Sequence, residues 1–377
     1  MRVLIIGPDV NVQGGISHVI RLMLKYPPEG VEYQLHPTIT QAVAAAHIPR
    51  WHPAYYRKAA HNLLFFLKSL RSLPSKARVV DLAHVHVSTY GSTFRKYFVS
   101  KKLYKMEISF ILHNHGADYH IFYNRLPFWH RARVHEMFRL AHGTIVLSAW
   151  WEEFHRKVLV PSDYPLWVLP NPIELPSTWV TDTVAQETRL LYLGRMDERK
   201  GSNRVLQAIA KLPPDVRSRV RLYMAGDGSV ETMQHLAQQL GIADRVEIRN
   251  WIEGGEKETW LQQTHVFILP SRAEGLPMAM LEAMAWGKAL IVSPVGGIPE
   301  FVEDGQEGLL VPPDDIDAIS EAIRQLVESP ELRIQMGRAA QARVEPLSIE
   351  YYKRRLGQIY AEVMGKIKAG KIEGTST

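Results

Sequence analysis

Residues 269–287 read Leu-Pro-Ser-Arg-Ala-Glu-Gly-Leu-Pro-Met-Ala-Met-Leu-Glu-Ala-Met-Ala-Trp-Gly. The apolar run Val266 to Leu269 just before the turn has the length and content of a buried strand. Pro270 and Ser271 end it, and Glu274-Gly275-Leu276-Pro277 makes a turn. Pro277 suits the first position of a helix, which should run from Met278 to Trp286 and close at Gly287. Strand, glycine turn and helix N-terminus together form an anion site, because the first helical amides lack intrahelical partners and the dipole favours negative charge there. Two carboxylates flank it. Glu274 and Glu282 would repel a phosphate, so they should face hydroxyls, which a carboxylate accepts well. Hydroxyls on either side of a phosphate group describe a nucleotide sugar. The plainer reading makes Glu274 a helix cap and Glu282 a satisfied buried acid.

Strands alternate with helices along both halves of the chain, with a glycine or histidine turn at many strand ends. This is the pattern of an α/β protein with two doubly wound, Rossmann-like domains facing across a cleft. Arg2 to Ile6 is a strand, Asn11 to Ser17 a turn containing Gly14 and Gly15, and Ser17 to Lys25 a helix. Neither a dinucleotide fingerprint nor a P-loop is present. Val79 to Val87 carries His84 and His86 on one face, a metal pair for which no third ligand is suggested. Tyr90 to Lys105 is the densest basic segment, with Arg95, Lys96, Lys101, Lys102 and Lys105, a candidate acceptor or headgroup surface. Ile108 to Leu112 precedes His113-Asn-His-Gly-Ala-Asp118, with His115 at a strand end where ligands of open α/β sheets bind. Asp118 and His120 are further candidates. In the second half, Arg189 to Leu193 leads to Gly194-Arg195 and Lys200-Gly201, two cations near a helix start that can neutralise a diphosphate. Val220 to Ala225 ends at Gly226-Asp-Gly-Ser229, and Val246 to Arg249 is followed by Trp251 and Ile252. Asp314 to Asp317 reads as a helix cap and acidic first turn.

These motifs resemble the retaining glycosyltransferases of the family-4 type. The likeness rests on Ser-Arg-x-Glu-Gly-Leu-Pro, the Glu-x7-Glu spacing of Glu274 and Glu282, Gly-Arg…Lys-Gly at 194–201, and Pro-x-Gly-Gly-x-x-Glu ending at Glu300. It spans almost the whole chain, tightest from Gly194 to Val311 and looser before Asn171, where Pro172 replaces the family's Gly. The resemblance implies the GT-B fold, with domains at 1–175 and 176–349 and a last helix, about 350–377, packing back on the first. It places Glu274 and His115 at the donor sugar, Glu282 on the ribose, and Arg195, Lys200 and the Gly275–Leu276 amides on the diphosphate. Gly14, Gly15 and Gly226 would approach the donor, and the backbone at Trp251–Ile252 would hold the base. No cofactor and no metal are implied beyond the nucleotide-diphosphate sugar as co-substrate. The acceptor would be a glycan or lipid-linked glycan, in bacterial surface polysaccharide synthesis. A nucleotide-sugar epimerase and a non-catalytic nucleotide-sugar binding protein are the alternatives.

Composition sets the outer limits. The chain has 377 residues, 46% of them hydrophobic, enough for two cores. It has no cysteine, hence no disulfide or thiol chemistry. The N-terminus is unlike a signal peptide, and no uncharged stretch approaches the roughly 18 residues of a membrane span. A cytoplasmic protein is expected, peripheral at the inner face of the membrane. Residues 1–175 hold 21 Lys+Arg against 11 Asp+Glu, and the remainder 24 against 28. The basic N-terminal half suggests an anionic partner, a membrane surface or a phosphorylated acceptor rather than nucleic acid. Residues 54–73 form an amphipathic helix that fits such a surface. Ser177 to Glu187 reads as a linker and the last five residues as a loose tail.

Overall fold

A computed structural model describes residues 1–40, 53–177 and 187–373. Most of the expected linker (178–186), the residues before the basic helix (50–52) and the end of the tail (374–377) lie outside the described residues. The described chain forms two compact units. One takes in residues up to Pro172 together with everything from Ile349 onward. The other is Ile173–Ser348.

The first unit holds β1 (Arg2–Pro8), β2 (Glu32–Ile39), β3 (Leu82–Val87), β4 (Phe110–Asn114), β5 (Thr144–Val146) and β6 (Leu166–Val168). They form one parallel sheet in the order β2-β1-β3-β4-β5-β6. The second unit holds β7 (Thr188–Leu193), β8 (Val220–Ala225), β9 (Val246–Arg249), β10 (Val266–Leu269), β11 (Ala289–Val292) and β12 (Gly308–Leu310). Its sheet, also parallel, runs β12-β11-β10-β7-β8-β9. The winding reverses between β1 and β3 in the first sheet and between β7 and β10 in the second. Parallel sheets are covered on both faces, so their inner strands are continuously apolar. Accordingly β4, β10 and β11 are buried at every residue.

The sequence reading overlooked β2. Its solvent-facing Glu32 and Gln34 and the internal Pro37 mask an edge strand, which tolerates proline where a central strand does not. The last helix, Ile349–Glu373, belongs to the first unit. Its Tyr360 hydroxyl lies 2.7 Å from His84 Nδ1 and 3.2 Å from that of Tyr33, and Glu362 accepts from Trp167 Nε1 at 2.8 Å. Among the described residues no helix is long and apolar enough to cross a membrane.

Close backbone approach fixes two glycines of the second unit. A Cβ on Gly226 would sit 1.8 Å from the Gly194 carbonyl oxygen, and one on Gly296, where φ is +58°, 1.8 Å from that of Glu274. Backbone cannot swing aside as a long side chain can. Gly226→Ala is expected to cost about 3 kcal/mol in urea unfolding, against near-neutrality for Gly255→Ala, where a Cβ meets open space and the backbone is not left-handed.

Candidate active site

The second unit gathers its polar groups at the C-terminal ends of β7, β8, β10 and β11. Lys200, in the loop after β7, and Glu274, in the loop after β10, meet across the switch point with Nζ and Oε1 2.5 Å apart. Glu274 is 4% exposed and the Lys200 side chain 15%. Burial pushes the Lys200 ammonium down, and the Glu274 carboxylate beside it pulls it back up. Asp197 Oδ1 accepts from the Lys200 amide, and Gly201, at φ +78°, admits the chain to the helix Ser202–Lys211. Arg199 donates to the Ala273 carbonyl at 2.7 Å while its own carbonyl takes the Arg272 amide at 2.8 Å, which locks the two loops together.

The helix after Glu274 runs Met278–Ala285 with Pro277 as its cap, so Pro277 sits one residue ahead of the first helical position expected for it. No side chain caps this N-terminus and no acid occupies its first turn. Gly275 and Leu276 are buried, and the Gly275 carbonyl accepts from Gly297. Arg195 pairs with Asp227 at 3.2 Å beside the Gly194–Gly226 contact. Glu282, expected to face a hydroxyl, is met by Lys257 at 2.7 Å, and Glu274 is likewise met by a lysine. Lys257 was missed because the helix Gly255–Gln263 shows no clear pattern. The signal available was Glu282 itself, a charge among apolar neighbours that needs a counter-ion. Trp251 and Ile252 follow β9 at the sheet's edge, with Ile252 buried. Asp315 caps the helix Ile316–Glu328 by accepting from Ala318, as expected, whereas Asp314 holds Arg272.

In the first unit Gly14 is the cap and Gly15 the first residue of the helix Gly15–Lys25, so the turn ends two residues before the expected helix start at Ser17. His115 lies just past β4, its Nε2 2.9 Å from His86 Nδ1. His84 Nε2 is 3.1 Å from His113 Nδ1. The four rings form a stack, with centroids 4.6 Å apart for His84–His86 and 5.1 Å for His86–His115. Burial holds His84 and His115 down at about 3, and His86 and His113 well below the usual imidazole range. His115 is thus a neutral hydrogen-bonding group. His113 corrects the expectation that His84 and His86 lack a third partner: nitrogens of these three lie within 4.8 Å of one another, a grouping able to hold a metal. The His84 and His86 planes are only 15° apart, so their lone pairs run side by side, and both His84 nitrogens are already engaged. Asp118 caps the helix Tyr119–Asn124, and His120 packs on Trp150 and Trp151. The basic segment is not the open surface it was read as. Lys96 is 1% exposed, Lys102 donates to the Leu70 carbonyl, and Lys101 pairs with Glu136.

Residues 179–343 match the family described as Glycosyl transferases group 1. This part of the chain is a glycosyltransferase group 1 domain. The domain contains all the second-unit residues described above. The chain is 30% identical over 193 residues to a D-inositol 3-phosphate glycosyltransferase of Streptomyces scabiei, covering 49% of this chain and 43% of the relative. It is 30% identical over 184 residues to the lipopolysaccharide core biosynthesis glycosyltransferase LpsE of Rhizobium meliloti, covering 48% and 51%. The chain spans about half the length of the curated relatives it matches. Anabaena HepE, solved in complex with UDP, superposes with a TM-score of 0.73 at 15% identity, over 96% of this chain and 100% of that one. The chain has the GT-B fold.

Two outcomes are expected. Removing one member of the buried pair strands the other, so Lys200→Ala should lose about 3–5 kcal/mol, and the double variant with Glu274→Ala less than the sum of the singles, read by a double-mutant cycle in urea. The four stacked histidines have folded pKa values below their unfolded ones, so the unfolded chain binds the extra protons. Their contribution is complete above the unfolded value near 6.5 and falls as pH drops toward 3. Melting temperature should therefore fall steeply between about pH 6.5 and pH 4, and less steeply in His84→Phe.

Proposed function

We propose that the protein is a retaining, metal-independent glycosyltransferase that moves a sugar from a nucleotide-diphosphate sugar to a hydroxyl of a glycan or lipid-linked glycan, in bacterial surface polysaccharide synthesis. The observation that carries this reading is the Lys200–Glu274 pair, set at the switch point of a group 1 domain beside an uncapped helix N-terminus. A diphosphate arriving there offers Lys200 a stronger partner and releases Glu274 toward the sugar hydroxyls. Arg195 exchanges Asp227 for the same diphosphate, and Glu282 turns from Lys257 to the ribose. The bond from the anomeric carbon to the phosphate oxygen breaks as the acceptor oxygen bonds to that carbon from the same face. The acceptor's proton passes to the departing phosphate oxygen. Lys200, Arg195 and the Gly275–Leu276 amides stabilise the charge that develops there. On the first unit, His115 in its neutral form hydrogen-bonds the sugar, held by His86. The names of HepE's solved complexes, with UDP and with UDP-glucose, support a nucleotide-sugar donor.

A peripheral position at the inner face of a membrane is supported by the helix Pro53–Ala77. Leu63, Leu64 and Leu67 stand exposed on it between Arg57 and the pair Lys68 and Arg71, as on an interfacial helix.

The test is a thermal-shift panel of UDP, GDP and ADP with their sugar conjugates. A ligand at 100 times its dissociation constant that binds only the native state should add about 2.7 kcal/mol. One diphosphate series is expected to stabilise the wild type and not Glu282→Ala. Glu274→Gln, which keeps the side-chain shape, should bind the donor and lose at least about a hundredfold in kcat. Normal turnover in that variant would overturn the site assignment, as would full activity lost to EDTA for metal independence.

A further inference from the structure

Lys96 is the one lysine of the basic helix Gly91–Lys105 whose ammonium is buried, at 1% exposure, with no carboxylate beside it. Its Nζ makes a single hydrogen bond among the described residues, 2.5 Å to Thr38 Oγ1. Thr38 has already placed its own proton on the Gly7 carbonyl, at 2.9 Å. Lys96 must therefore be the donor to Thr38, and among the described residues its remaining N–H groups have no acceptor. The neighbouring charge is the guanidinium of Arg95, which repels it. Arg95 is itself half-buried, with Nε shielded from solvent and unbonded. Burial, reinforced by Arg95, drives the Lys96 ammonium well below the usual lysine range, and among the described residues no anion pairs with either side chain to offset that cost.

The place is not arbitrary. Gly7 and Thr38 are next to the last residues of β1 and β2, at the carboxyl edge of the first sheet beside its switch point, where open α/β sheets take their ligands. The helix carrying both cations starts at this edge after β3. It has no acid in its first turn and no side-chain cap. Its cap residue, Tyr90, holds φ at +53°, a conformation costly for a side-chain-bearing residue and concentrated at ligand sites.

We propose that the first unit binds a phosphoryl group of the acceptor between Lys96 and Arg95. Resting on the reading of this unit as the acceptor side, the acceptor class is then a phosphorylated one, a sugar phosphate or a phosphate-linked lipid, rather than a neutral glycan. The oxyanion supplies the acceptors that Lys96 Nζ and Arg95 Nε lack, and charge-assisted bonds of this kind are the strong ones.

The experiment is calorimetric titration of the full chain with inorganic pyrophosphate. Wild type, Lys96→Met, Arg95→Gln and Lys200→Ala are compared, the last reporting the donor-side diphosphate site. Two classes of site are expected in wild type. Lys96→Met should weaken one by about tenfold or more and leave the other, with Lys200→Ala doing the converse. Methionine matches the buried stem of Lys96, and Arg95→Gln reports on the same site should Lys96→Met fail to fold. Wild-type pyrophosphate affinity in both Lys96→Met and Arg95→Gln overturns the proposal. A missing response to Lys200→Ala instead indicts the donor-site reading and leaves this one standing. Co-sedimentation with phosphatidylcholine vesicles, with and without phosphatidic acid, separates the sources. Phosphatidic-acid-dependent binding lost in Lys96→Met assigns the phosphoryl group to a lipid, and binding unchanged by that substitution assigns it to a soluble phosphate.

Discussion

The second unit depends on one buried ion pair. Lys200 and Glu274 come from loops more than seventy residues apart, after β7 and β10, the two strands between which the sheet reverses its winding. Neither charge is tolerable there alone. Each loop is therefore held by the other's side chain, and the crossed bonds of Arg199 with Ala273 and Arg272 fasten the same junction through the backbone. Around it the chain is packed so closely that Gly226 and Gly296 leave no room for a Cβ. A buried pair that is costly to break keeps the two polar loops ordered against each other.

The first unit handles its ionisable groups differently. It has few acids to spend, so its inner polar groups are neutral where they can be. Four stacked imidazoles at the ends of β3 and β4 are kept unprotonated by burial and bond one another in two pairs. Lys96 cannot join that arrangement, since the hydroxyl it reaches has no proton left to give. The contrast between the units is one of compensation: paired charge in the second, neutral rings and a buried lysine without a carboxylate partner among the described residues in the first.

Much of this was legible from residue order. The strand Val266–Leu269 and the helix from Met278 stand where the apolar runs put them, because in a parallel sheet covered on both faces burial is continuous and local pattern suffices. Edge strand β2 was lost because Glu32 and Gln34 face water and Pro37 interrupts it. The partners of the site residues were the least visible part. Lys257 with Glu282, His113 with His84, and Lys96 with Thr38 join residues 25, 29 and 58 positions apart. Each is set by how elements pack, which no local spacing encodes. The basic segment misled for the same reason: composition counts cations, and only packing tells which are sunk.

The last helix closes a unit that began 349 residues earlier. Tyr360 completes the chain of contacts from Tyr33 to His84 across 276 positions, and Glu362 seats Trp167 across 195. Among the described residues the second unit is, by contrast, a single run of chain from Ile173 to Ser348. During synthesis the first unit is translated first but must wait, its sheet lacking the helix that covers Tyr33 and His84, while the inserted unit has all its parts as soon as it leaves the ribosome. Order of emergence and order of completion are therefore reversed, and the second unit can complete its fold before the first has its last helix. Because loop-closure entropy grows only slowly with length, the long inserted run adds little to the thermodynamic cost of that late docking. Its consequence is temporal: the aromatic and histidine surface at the heart of the first unit stays uncovered until the helix Ile349–Glu373 has been made.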